Sequence, residues 1–232
     1  MARASCSGRL VPQRASRLRP WFLAVDAGLA DNPARAGVPT PPFEAALMPT
    51  DESPAVPRAT ELVRAMGMDP ASFGRFLPVA ADAVPDVPRR LLDHRSHMTV
   101  AMERFHGGPV GLQVVAERPA AAGPEERYVR EILLVRGDGM VVQHGIVRID
   151  LTVVPAPTAA AIRERRTPLG RILIDAGLLC DVQDVRLLEV TAGPHLAALF
   201  GCAAGTVAYG RVAEIRVAGI AAVELLEIVA PT

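Results

Sequence analysis

Two strand-like segments joined by a tight turn, near the middle of the 232-residue chain, constrain its fold more than any other feature. Residues 128–136 and 140–149 are rich in Val, Ile and Leu, and Gly137-Asp138-Gly139 lies between them. Glycine and aspartate tolerate the positive φ that short hairpin turns require. The pattern therefore predicts two neighbouring antiparallel strands.

Further elements on both sides extend this pattern. Thr167 and Pro168 are typical of an N-cap and a first helical residue, and Gly177 of a helix end. The predicted helices cover residues 89–105, 169–176 and 194–200, and the predicted strands cover 110–117, 182–190, 208–217 and 221–229. Because hairpins outnumber crossover helices, we expect an α+β fold with a single antiparallel sheet and helices on one side.

The N-terminal third has a different composition. Six prolines fall between residues 39 and 57, and successive prolines fix φ and remove backbone donors. We expect a proline- and arginine-rich, poorly ordered lead-in over residues 1–75, with a short helix at 60–66, and a domain over residues 76–232. Translation from Met48 or Met66 is an alternative.

Charge and cysteine usage restrict the partners and the compartment. The formal net charge is zero, which argues against nucleic-acid and membrane partners. All 25 basic residues are arginine, so chemistry that needs a lysine amine is excluded.

Cys6, Cys180 and Cys202 are an odd number of cysteines without CxxC spacing, which argues against a disulfide framework or a zinc site. The apolar run over residues 21–30 is too short to span a membrane. We expect a cytoplasmic protein that is a monomer or a small homo-oligomer.

Arg130 is the first candidate site residue, because it lies within an otherwise apolar strand. A buried arginine must find an anion, since an unpaired buried charge is costly. One interpretation is a structural ion pair with a glutamate of a neighbouring strand. The other is a guanidinium that binds a ligand carboxylate in bidentate geometry.

Glu227 is the second candidate, in the terminal segment Leu225-Leu226-Glu227-Ile228-Val229. Aliphatic neighbours desolvate the carboxylate and favour a raised pKa. Glu224 falls on the opposite face of an ideal strand, so one of the two glutamates points inward. Glu227 either pairs with Arg130 or handles a proton or hydroxyl of a ligand.

Four sequence blocks around these residues resemble the chorismate lyase (chorismate pyruvate-lyase) family. In chain order they are Ser96-His97-Met98-Thr99, then Arg127-Tyr128-Val129-Arg130-Glu131-Ile132-Leu133-Leu134 with Asp138-Gly139, then Thr167-Pro168-Leu169-Gly170-Arg171, and finally Glu227-Ile228-Val229-Ala230-Pro231. The resemblance covers about residues 90–231. It implies one antiparallel sheet whose helices form flaps over an internal ligand cavity.

The resemblance also implies roles for individual residues. Arg130 matches the arginine that holds the ring carboxylate, and Glu227 the glutamate near the oxygen that becomes the product's phenol. Leu169 matches the residue whose backbone amide contacts the ligand at a helix start, and Gly170 follows it among the binding residues. Met98 matches an apolar lid residue. Some members have an arginine directly after the glycine that matches Gly145, as a second carboxylate anchor; here that position is Ile146, and Arg148 lies two residues further on.

The implied activity is that of a carbon–oxygen lyase that eliminates pyruvate from chorismate to give 4-hydroxybenzoate or a related aromatic acid. The reaction needs conformational restraint, carboxylate binding and exclusion of water, and no metal or other cofactor. The alternative is a non-catalytic domain of the same fold that binds an aromatic carboxylate. Proline-rich residues 1–75 do not predict the helix-turn-helix of a DNA-binding regulator.

Histidines offer a rival interpretation of the site. His94, His97 and His106 with Glu103 could form a metal cluster, but no further ligand completes tetrahedral spacing, so capping or surface roles are favoured. His144 is interpreted as a packed or hydrogen-bonded residue.

Overall fold

A seven-stranded antiparallel sheet forms the centre of the domain. The computed structural model describes residues 54–118 and 127–231, and within them the strand order is β1-β5-β6-β7-β4-β3-β2. Every neighbouring pair is antiparallel, and β3 and β4 form the predicted hairpin. The strands are β1 (Gly74–Pro78), β2 (Val110–Arg118), β3 (Arg127–Arg136), β4 (Val141–Asp150), β5 (Cys180–Ala192), β6 (Val207–Val217) and β7 (Ile220–Val229). The predicted α+β fold with a single antiparallel sheet is confirmed.

Seven α-helices of the described residues surround this sheet. They are α1 (Ala55–Ala65), α2 (Pro70–Phe73), α3 (Asp86–Leu92), α4 (Met98–His106), α5 (Ala156–Arg163), α6 (Leu169–Asp175) and α7 (Pro194–Phe200), with a 3-10 turn at Ala81–Ala83. Among the described residues, none of these helices has the length and apolar character needed to span a bilayer.

Helices cover both faces of the sheet rather than the one face expected. Successive residues of a strand point to opposite faces, which divides each buried strand between two cores. The back face packs against α1, α2 and α7 through a cluster that includes Leu62, Phe73, Ile146, Leu196 and Leu226. The front face packs against α3 to α6. The two-sided cover explains why β3 and β4 are buried at most positions along their length.

Three local features differ from the expectations. The predicted helix 89–105 is two helices, because the chain is not helical from Asp93 to His97. Pro168, rather than Thr167, is the residue that precedes α6. The predicted start of the domain at residue 76 falls inside β1, and α1 and α2 precede it in the described chain. Residues 1–53 of the predicted lead-in lie outside the described residues.

A buried network of one carboxylate and two imidazoles joins α7 to the back face. Glu131 Oε1 lies 2.7 Å from His144 Nε2 and 2.7 Å from His195 Nε2. Glu131 and His144 are fully buried, and the Phe73 ring lies 5.3 Å from the His144 ring. The interpretation of His144 as a hydrogen-bonded histidine is confirmed.

Acid is expected to destabilise the domain through this network. Complete burial lowers the pKa of His144 below its ordinary 6.5, so the unfolded chain takes up a proton that the folded chain does not. Burial would raise the pKa of Glu131, but hydrogen bonds from His144 and His195 outweigh it and lower that pKa below its ordinary 4.5. Both differences make the free energy of unfolding fall as the pH falls, by up to about 1.4 kcal/mol per pH unit and per proton.

Urea unfolding between pH 8 and 4 measures this effect. His144→Gln keeps an N–H donor for Glu131 but does not titrate, so the decrease between pH 6.5 and 4.5 should be smaller in this variant. Equal pH dependence in the two proteins would show that His144 does not carry the effect.

Candidate ligand-binding site

A small cavity lies on the front face, between the sheet and the N-terminal ends of α4 and α6. Its volume is about 40 Å³. It is lined by His97, Met98, Thr99, Leu112, Arg130, Ile132, Leu134, Gln143, Gly145, Val147, Pro168, Leu169, Gly170, Val182, Arg211, Ile215, Leu225 and Glu227. The structure thus brings together all five site residues proposed from the sequence: Met98, Arg130, Leu169, Gly170 and Glu227.

The Arg130 side chain is 1% exposed and belongs to the wall of this cavity. Its Nη1 donates to the Ile162 carbonyl oxygen at 3.2 Å, whereas its Nε has no hydrogen-bond partner. No carboxylate of the described residues lies within ion-pair distance of the guanidinium. Burial lowers the pKa of Arg130, against opposing influences of Tyr128 and Glu117. The ion pair with a neighbouring strand's glutamate is therefore not formed.

Glu227 pairs with an arginine that the sequence analysis missed. Arg211 lies opposite Glu227 in the β6–β7 register, and its Nε donates to Glu227 Oε2 at 2.8 Å. The expected alternative, a Glu227–Arg130 pair, is thus replaced by a Glu227–Arg211 pair. The signal that identified Arg130, a lone arginine in an apolar strand, was also present at Arg211.

Arg211 also connects the cavity to the segment that leads into α4. Its Nη1 donates to the carbonyl oxygens of Leu92 at 3.1 Å and His94 at 2.8 Å, and its Nη2 donates to that of Ser96 at 3.3 Å. The guanidinium, which is 1% exposed, therefore fixes the break between α3 and α4 and, through it, the start of the α4 flap.

The two flap helices meet at Gly170. A Cβ atom at this position would lie 2.9 Å from His97 Cβ and 3.1 Å from Thr99 Oγ1. A glycine is therefore required for the N-terminal ends of α4 and α6 to approach so closely. Met98 and Leu169 flank this contact and close the cavity. The ligand contact of the Leu169 amide stays a prediction.

A second polar group of the cavity was also missed. Gln143 lies on β4, is 2% exposed, and its Oε1 has no hydrogen-bond partner. Its neighbours across the strands are Leu134 and Val229, neither of which has a polar side chain.

Of the other candidates from the sequence, His97 lines the cavity, whereas Arg148, Glu103 and His94 do not. Arg148 donates to Glu224 Oε2 at 2.6 Å and to Glu61 Oε1 at 2.8 Å, so it does not replace the missing second anchor. Glu103 pairs with Arg171, and the described residues contain no group of three or more His, Cys, Asp or Glu side chains arranged to hold a metal ion. Burial is the main cause that lowers the pKa of His94 and of His97.

The cavity volume sets a condition on its ligands. A cavity of ~150 Å³ is needed to hold benzene, several times the volume present here. An aromatic ring therefore fits only when the covering side chains move. Met98 has a flexible, unbranched side chain that can adopt other rotamers, and the α4–α6 contact can open.

The fold and the cavity together define an α+β domain with a small binding site that contains one buried, carboxylate-free guanidinium. No family model matches the sequence, and no curated protein matches it.

Thirty-one chains of solved structures match. The effector domain of PhnF from Mycobacterium smegmatis is 17% identical, with a TM-score of 0.43 over 58% of this chain and 88% of that one. The C-terminal domain of the histidine utilization repressor from Pseudomonas syringae is 17% identical, with a TM-score of 0.40 over 52% and 91%. The ligand-binding domain of a protein assigned to the GntR-family transcriptional regulators, from Bordetella bronchiseptica, is 17% identical, with a TM-score of 0.43 over 53% and 86%.

These neighbours contradict the prediction of an enzyme. The three structures are an effector domain, the C-terminal domain of a repressor and the ligand-binding domain of a transcriptional regulator, and none is described as a carbon–oxygen lyase. The prediction of a carbon–oxygen lyase is therefore not supported by these structures. The physical reason is that a buried arginine and a closed apolar cavity bind a carboxylate whether or not a reaction follows. The expectation of no nucleic-acid partner stays a prediction.

Proposed function

We propose that this domain binds a small aromatic carboxylate in the front-face cavity without converting it chemically. The carboxylate contacts the guanidinium of Arg130, and the ring packs against the apolar wall. Met98 and Leu169 cover the bound ring. In this role Glu227 fixes Arg211 and the flap instead of taking part in a reaction.

The single observation that supports this proposal is that Arg130 is buried without a carboxylate partner among the described residues. Transfer of a charged group from water into a protein interior costs several kcal/mol unless an opposite charge compensates it. Arg130 is buried, and among the described residues its Nε has no hydrogen-bond partner and its guanidinium has no carboxylate within ion-pair distance. A ligand carboxylate would supply both the missing charge and the missing acceptor, in the bidentate geometry that guanidinium favours.

The apolar wall supports an aromatic rather than a highly polar ligand. Ile132, Leu134, Val147, Ile215 and Leu225 all contribute to it. A ring gains free energy in such surroundings, at about 25 cal/mol for each Å² of apolar surface removed from water. A sugar phosphate or an amino acid would leave several polar groups without partners.

Binding is tested with the full 232-residue chain and pairs of ligands of equal size. Benzoate and 4-hydroxybenzoate carry the carboxylate, whereas benzamide and 4-hydroxybenzamide do not. The acids are expected to raise the melting temperature and to bind in calorimetry, with a stabilisation of about 2.7 kcal/mol at a concentration of 100 Kd. The amides should have little effect, because they cannot compensate the Arg130 charge.

A second experiment tests whether the protein converts chorismate chemically. Chorismate is incubated with the protein, and its concentration is followed by chromatography against a sample without protein. Equal decay in both samples is expected. Binding of amides as tight as that of acids would contradict the proposed role of Arg130, and accelerated loss of chorismate would contradict a purely binding function.

A further inference from the structure

Gln143 is a buried polar side chain whose amide oxygen has no hydrogen-bond partner among the described residues. Its Oε1 accepts no hydrogen bond, although the residue is only 2% exposed. A buried acceptor without a donor costs about 1–3 kcal/mol. Replacement by an aliphatic residue would avoid this cost, so stability of the sheet does not account for a glutamine here.

The surroundings of Gln143 contain no donor side chain at the adjoining strand positions. Leu134 lies directly opposite on β3, and Val229 lies directly opposite on β7. Both of these neighbours are aliphatic, so neither side chain can donate a hydrogen bond to Gln143. The acceptor therefore remains available to a molecule within the cavity that Gln143 lines.

Gln143 and Arg130 lie at opposite ends of the same cavity wall. Arg130 is opposite Val147, and Gln143 is opposite Leu134, four residues further along β3. At about 3.3 Å per residue, their backbones are roughly 13 Å apart along the strand. The even spacing places both side chains on the front face. A cation at one end and an acceptor at the other match a ligand with a carboxylate and, across its ring, a hydrogen-bond donor.

We infer that Gln143 is a specificity-determining residue that accepts a hydrogen bond from the ring substituent of the ligand, and that the domain selects hydroxy- or amino-substituted aromatic acids over the unsubstituted acid. This inference rests on the proposed function, because it requires the carboxylate to be bound at Arg130. Discrimination arises because an unsubstituted ring leaves the Gln143 acceptor buried without a donor in the complex.

The test measures Kd by calorimetry for benzoate, 3-hydroxybenzoate, 4-hydroxybenzoate and 4-aminobenzoate. The wild-type chain should bind at least one substituted acid about 10-fold or more tightly than benzoate, as expected when a buried polar group would otherwise stay unpaired. In Gln143→Met, which has a similar length and no acceptor of comparable strength, the preference should disappear while benzoate still binds. Gln113→Met is the matched control, since Gln113 is exposed on β2, and it should keep the wild-type preference.

The outcomes separate the two proposals. If the wild-type chain binds none of the four acids, the proposed function is wrong and this inference fails with it. If all four acids bind with equal affinity, or if the preference persists in Gln143→Met, the inference is wrong and the proposed function stands. Far-UV circular dichroism and the melting temperature of each variant verify that it is folded.

Discussion

Replacement of Arg130 by methionine is expected to stabilise the domain and, at the same time, to remove carboxylate binding. Arg130 is buried, its Nε lacks an acceptor, and no described carboxylate pairs with it. Methionine has a similar length, is apolar and adapts to irregular space. Replacement of buried charged groups by apolar residues stabilises proteins by about 1–4 kcal/mol, even when the charges were paired. We expect an increase of about 1–3 kcal/mol in the free energy of unfolding.

The loss of ligand binding in Arg130→Met also follows from the removal of the buried Arg130 charge. The loss of one partner of a desolvated charge pair costs about 2–5 kcal/mol, which corresponds to a factor of 30 or more in Kd. Benzoate and 4-hydroxybenzoate should therefore no longer raise the melting temperature of Arg130→Met. Urea unfolding without ligand and calorimetry with ligand measure the two effects separately.

Arg148→Met is the matched control for this prediction. Arg148 is an arginine of the neighbouring strand, but it pairs with Glu224 and Glu61 and does not line the cavity. Its replacement should lower the stability slightly and leave binding unchanged. A decrease in the stability of Arg130→Met would contradict the assignment of Arg130 as an uncompensated charge, and unchanged binding would contradict its role as the anchor.

The sequence predicted the sheet well because its signals are local. Alternating and apolar segments with Gly, Asp and Pro between them located six of the seven strands, and the Gly137-Asp138-Gly139 turn paired β3 with β4. Strand β1 was not predicted because Gly74–Pro78 is short and contains glycine and proline. It is a strand through its pairing with β5, which no local pattern shows.

The candidate site was predicted in part for a similar reason. Arg130 and Glu227 attracted attention as single charges within apolar strands, and the structure places both in one cavity. Arg211 is also such a charge, but its role depends on a pairing between β6 and β7 and on carbonyl groups more than one hundred residues away. Local sequence cannot show which charge pairs with Glu227, so the more obvious partner, Arg130, was the wrong one.

The function predicted from sequence motifs was more specific than the residues justified. The motifs correctly indicated a fold with a closed cavity and a buried arginine. The motifs carried no information on catalysis, because a cavity with a buried arginine is as typical of a binding domain as of an enzyme. The distinction depends on what happens to a bound ligand, which the residues that bind it do not determine.

The largest loss of stability is expected for Arg211→Met. This change removes the partner of the Glu227 carboxylate, and it leaves the carbonyl oxygens of Leu92, His94 and Ser96 without their donors. Disruption of a buried ion pair by removal of one partner costs about 3–5 kcal/mol. Urea unfolding should show this decrease relative to the wild-type chain.

A double-mutant cycle with Glu227→Gln identifies the source of that loss. If the unpaired carboxylate dominates, the double variant should be less destabilised than the sum of the two single variants, by about 1–3 kcal/mol. The unsatisfied carbonyl groups should persist in the double variant. Backbone amides at the start of α4 should therefore exchange hydrogen faster in both Arg211 variants than in the wild-type chain, but not in Glu227→Gln alone. Strictly additive losses with unchanged exchange in α4 would show that Arg211 neither compensates Glu227 nor holds the flap.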